Sequence, residues 1–69
     1  PVVIVSNDRK VVTLNLCGQW STGTVRAMSE YLRGAGLDIK PSLARGEFSA
    51  RYRGRLHKAS FDNTIRIEI

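Results

Sequence analysis

The chain holds one cysteine, one histidine and one tryptophan in 69 residues, and these shortages exclude several classes of protein. A single thiol, Cys17, cannot close an intrachain disulfide, which removes the stapled secreted scaffolds on which many very small domains rely. Cys17 ends the apolar stretch 14–17 and reads as a small packing residue at a strand end. With His57 the one histidine, a tetrahedral zinc site would need carboxylates or a second subunit, so no metal and no other cofactor is expected. Acids are scarce as well, 6 against 11 lysines and arginines. Asp38, Glu47, Asp62 and Glu68 form no spaced pair suited to acid–base work. The longest apolar run, residues 2–5, is far short of the about 18 residues a membrane-spanning helix needs. No basic segment or cleavage pattern marks that run as a signal peptide, and the chain reads as soluble and cytoplasmic.

Two further features fail as enzyme signals. The run Gly34-Ala35-Gly36 lacks the preceding strand, the following helix and the third glycine of a dinucleotide loop, and reads as a helix stop. A free N-terminal proline amine acts as general base in small βα tautomerases, and Pro1 is the single residue at which this chain resembles them. Their first strand runs directly into a helix, whereas a second strand, residues 11–17, follows here. No enzyme is expected.

What the chain has is positive charge in one place. Residues 45–58 hold Arg45, Arg51, Arg53, Arg55 and Lys58 against one acid, Glu47, a net +4 within a chain of formal charge +5. Phe48, Ala50 and Tyr52 alternate with Ser49, Arg51 and Arg53, the pattern of a strand with one apolar and one cationic face. The other elements follow from periodicity and turn chemistry. Residues 2–5 are β-branched throughout, and Val12, Leu14 and Leu16 share a face, so these two runs form a hairpin across the Ser6–Lys10 turn. A helix starts near Ser21, with Ser21 or Thr22 as N-cap, and with Ser21 as cap Trp20 and Val25 fall at the spacing of a hydrophobic staple. Val25, Met28, Leu32 and Ala35, with Tyr31 beside them, form its buried stripe, and Gly34 or Gly36 ends it. Residues 37–40 read as a short strand bounded by Pro41 and Gly46. Strands 47–53, 55–61 and 64–69 complete the chain. A three-residue loop 62–64 would pair Phe61 with Ile65, Ala59 with Ile67 and His57 with Ile69, setting Lys58 opposite Arg66 on the outer face. The expected fold is one α+β domain in two layers, a helix packed on an antiparallel sheet of four to five strands in the order ββαβββ.

Such a face is expected to bind a polyanion, foremost the phosphate backbone of a nucleic acid, through Arg51, Arg53, Arg55, Lys58 and Arg66, with Arg45 and Lys10 as outliers. Arginine predominates over lysine there, which suits bidentate phosphate recognition. Phe48 and Tyr52 point to the core and Trp20 reads as packed, so exposed aromatics for stacking bases are not expected. The helix offers only Arg26 and Arg33, which argues against insertion into a major groove. The alternative is an accessory or inhibitor protein of phage or mobile-element type, covering an acidic or nucleic-acid-binding surface of another protein. Exposed strand edges would also allow pairing with a second copy, making a homodimer.

Overall fold

The computed structural model describes residues 2–69, and the general-base reading of Pro1 lies outside them. Among the described residues the order is β1 (Val2–Val5), β2 (Val11–Asn15), α1 (Thr22–Gly34), β3 (Ile39–Ala44), β4 (Glu47–Tyr52), β5 (Arg55–Lys58) and β6 (Thr64–Glu68). The protein is α+β, but its strands form two antiparallel sheets of three, β1-β2-β6 and β3-β4-β5. The expected single sheet of four to five strands therefore divides in two.

Two residue-level causes account for the difference. Pro41 does not stop the third strand: β3 runs through it, with Ile39 and Pro41 buried and Lys40 and Ser42 exposed. Proline has no N–H for a second neighbour, and β3 needs none because it lies at a sheet edge. The second cause is the partner of β6. It pairs with β2, Leu14 opposite Ile65 and Val12 opposite Ile67, while β5 pairs with β4. The expected 55–61 to 64–69 hairpin does not form. Its linking loop is a compact turn in which the Asn63 N–H donates to the Ser60 carbonyl at 2.9 Å and the Ser60 N–H to the Thr64 carbonyl at 3.0 Å. Asp62 accepts from the Ser60 hydroxyl, and that hydrogen bond is the leading cause holding its carboxyl below the ordinary range.

The hairpin of β1 and β2 forms as expected, with Val3 opposite Leu14 and Val5 opposite Val12. Val12, Leu14 and Leu16 are fully buried and meet Ile65 and Ile67 from their own sheet. Ile39, Phe48 and Ala50 come to the same cluster from the second sheet, and Met28 and Leu32 from the helix. The core is thus the filling between two sheets and a helix, so each β-element alternates inward and outward on its own terms.

The helix is capped at both ends. Ser21 is extended at φ −150, and its hydroxyl accepts from the Thr24 N–H at 3.2 Å. At the other end the Leu37 N–H donates to the Leu32 carbonyl at 2.9 Å and the Gly36 N–H to the Arg33 carbonyl at 3.0 Å. Gly36 takes φ +78, completing a Schellman motif that only a residue tolerant of left-handed backbone closes without strain. The Arg9 guanidinium donates to the Ala35 carbonyl at 3.2 Å, placing a cation at the negative end of the helix and tying the β1–β2 turn to it. Three members of the expected stripe sit differently. Tyr31 is exposed, and Val25 and Ala35 are only partly covered. Cys17 is exposed too, at φ +52 in the turn after β2, and is not the packing residue its apolar neighbours suggest.

Candidate nucleic-acid interface

β4 is the spine of the cationic surface. Its inward positions are filled by Phe48 and Ala50, both buried, with Tyr52 half-buried, as the alternation predicts. Its outward positions fall in rows across the sheet. Arg51 stands between Lys40 of β3 and Leu56 of β5, and Ser49 between Ser42 and Lys58. Lys40, Arg51 and Lys58 therefore share one exposed face, with Lys40 and Arg51 directly opposed. Two like charges at that spacing repel in the free protein, a penalty that an anion laid across them removes. Lys40 was not legible as a site residue, because the short strand 37–40 that it ends had no expected partner to set its face. The alternation of Ile39, Pro41 and Leu43 with Lys40 and Ser42 was the signal available.

The two turns flanking β4 carry the next two arginines. Ala44 pairs with Glu47 and Tyr52 with Arg55, so Arg45-Gly46 and Arg53-Gly54 are two-residue hairpin loops. Both residues of each loop have positive φ: 55 and 73 for Arg45 and Gly46, 51 and 78 for Arg53 and Gly54. That is the geometry of a type I′ turn, in which asparagine or glycine is the favoured first residue. An arginine there is strained by on the order of 1 kcal/mol. Both side chains are exposed, and the Arg53 guanidinium lies 5.3 Å from the Tyr52 ring centroid. Folding gains little from arginine at these tips. Replacing both by asparagine is expected to raise the melting temperature, by about 4–8 °C for each kcal/mol of strain relieved, while weakening polyanion binding. A lower melting temperature in a thermal circular-dichroism scan would mean that the arginines serve the fold.

The remaining candidates lie elsewhere. Arg55 shares parity with Tyr52 and so does not join Arg51 and Lys58 on the outer face. It borders a groove with His57, Arg66 and Glu68 where the two sheets meet. Arg66 is on β6 opposite Thr13, on the other sheet, and the expected apposition of Lys58 and Arg66 does not occur. Lys10 is also on that side, its N–H accepted by Asp8 at 3.1 Å and its carbonyl receiving the Ile69 N–H at 2.8 Å. The structure thus sets Lys40, Arg51 and Lys58 on one face and Arg45 and Arg53 in the turns at the two ends of β4, with Arg55, Arg66 and Lys10 apart from that face.

Trp20 is exposed where packing is expected. It is 46% exposed and borders a groove of about 170 Å³ with Gly46, Glu47, Lys58, Ser60 and Asn63. Phe61, expected to pair inward with Ile65, is fully exposed at the tip of the neighbouring loop.

Among the described residues no group of three or more His, Cys, Asp or Glu side chains is placed to hold a metal ion, and no helix is long and apolar enough to cross a membrane. No protein-family model matches the chain, and no curated protein or solved structure matches it.

Proposed function

We propose that the protein is a small non-enzymatic binding module whose ligand is the phosphate backbone of a nucleic acid, held on the outer face of the β3-β4-β5 sheet. The observation that carries this reading is the pair of Arg-Gly turns at the two ends of β4. Each places an arginine where the backbone favours another residue, and strain of that kind persists where the side chain has a use. Between them Lys40, Arg51 and Lys58 continue the positive surface along rigid strands. Recognition of this kind is positional and sequence-independent, because phosphate contacts carry no base information.

The second reading is an accessory or inhibitor protein that covers an acidic surface of another protein with the same cations. The exposed Val2 and Ile4 on β1, at the edge of its sheet, favour a protein contact there. A nucleic acid remains the better fit for the β4 face, since few apolar side chains accompany its charges.

Counterion release separates these readings. Fluorescence anisotropy of labelled duplex and single-stranded oligonucleotides is expected to show affinity falling by about tenfold or more between 50 and 200 mM salt. Absence of binding to every form at low salt would sink the nucleic-acid reading and turn the search to an acidic protein.

A further inference from the structure

We infer that the groove beside Trp20 holds one unpaired base of a single-stranded nucleic acid, stacked on the indole, with its flanking phosphate on Lys58. This rests on the phosphate-binding reading above and names the form of nucleic acid that the surface takes.

The groove differs in chemistry from the outer face of β4. Its border mixes an aromatic ring, a cation, a carboxylate and a carboxamide: Trp20, Lys58, Glu47 and Asn63. A carboxylate is out of place in a site for phosphate alone, which it would repel. It suits a base, whose ring or exocyclic N–H groups donate to an acidic oxygen. Trp20 lies outside the buried cluster, while Val25, its expected staple partner, packs against that cluster. The indole therefore presents area to solvent at a position where the core does not claim it. An exposed aromatic beside cations is the arrangement on which single strands stack, because every base offers a π-face once it leaves a duplex. Within a duplex those faces are already covered.

Continuity with the proposed phosphate track supports the assignment. Gly46, on the groove's border, belongs to the Arg45-Gly46 turn, so the groove opens beside one of the two strained arginines. Lys58 belongs to both surfaces, lying opposite Ser49 on the outer face and bordering the groove. Ser60, also on the border, leads into Phe61, fully exposed, which offers a second ring to a neighbouring base. A strand leaving the β4 face past Lys58 would meet Trp20 next.

Trp20 is the one tryptophan in the chain, so its emission reports on this groove directly. Titration with an unlabelled 12-nucleotide oligodeoxycytidine is expected to quench that emission, whereas a 12-base-pair duplex binds without quenching. In anisotropy with the same labelled probes, W20A should bind the single strand about tenfold more weakly and the duplex with unchanged affinity. W20F should retain most of the single-strand affinity, and circular dichroism checks that both variants fold. Equal binding of both probes with unchanged emission, or equal losses for both in W20A, would overturn the stacking site while leaving phosphate binding intact. Failure of both probes to bind the wild-type protein at low salt would overturn the inference together with the reading it rests on.

Discussion

Changing Lys40 and Arg51 together to glutamate is expected to weaken nucleic-acid binding by on the order of a hundredfold at low salt, with the fold retained. Each side chain stands for one charge-assisted contact to phosphate, and two such contacts at about 1.5 kcal/mol each make up that loss. The double change lowers the formal net charge from +5 to +1, so long-range attraction falls with it and the salt dependence flattens by about two phosphate equivalents. The stability argument supplies the control. Lys40 and Arg51 are directly opposed across β3 and β4, and the double variant replaces one like-charged pair by another, so its melting temperature should stay within a few degrees of wild type. Arg51→Glu alone sets opposite charges across the same rungs and should stabilise the sheet by about 0.2–1 kcal/mol while still weakening binding. Unchanged affinity in the double variant would remove this face from the binding surface. Loss of folding would show that one of the two side chains is needed inside.

The parts of the fold that were legible are those set by local physics. The alternation in β2 and β4 identified Val12, Leu14 and Phe48 as inward, and the helix begins at the Ser21 cap and closes through Gly36, one of the two glycines expected to stop it, because side-chain oxygens and left-handed backbone leave local signatures. Partner choice was not legible in the same way. Period two tells which face of a strand is buried, but Ile65 and Ile67 satisfy their burial equally well against β5 or against β2. The structure chooses β2, and the hairpin register collapses with that choice. The candidate site split along the same line. Arg51 stands outward by the parity of β4 as expected, and Lys58 stands outward too, although the hairpin register that was to set it there does not form. Arg66 was misplaced because its neighbour was misassigned, and Arg55 because the Arg53-Gly54 turn returns the chain with Arg55 opposite Tyr52. Lys40 and Trp20 were missed for different reasons: one ended a short strand that had no expected partner, the other lay before a helix where packing is the usual outcome.

Leu14→Ala should unfold the protein or leave it at the threshold of folding at 25 °C. Leu14 is fully buried on the central strand of its sheet, with Val3 on one side and Ile65 on the other. Truncating a leucine in such a place costs about 2–5 kcal/mol through lost transfer energy and the cavity left behind. A chain of 69 residues has in total about 3–10 kcal/mol to lose, on the usual scale of 0.05–0.15 kcal/mol per residue. The small core leaves no second layer to absorb the change, because the same cluster joins both sheets and the helix. The consequence reaches the binding surface, since β4 holds its cations outward only while Phe48 and Ala50 stay anchored in that cluster. Nucleic acid should partly reverse the damage: a ligand that binds only the folded state adds about 2.7 kcal/mol at a hundred times its dissociation constant. Thermal scans of Leu14→Ala with and without a saturating oligonucleotide read both effects at once. A near wild-type melting temperature without ligand would mean that Leu14 is not the keystone of a shared core. A destabilised variant that gains nothing from the oligonucleotide would separate the fold from the proposed ligand.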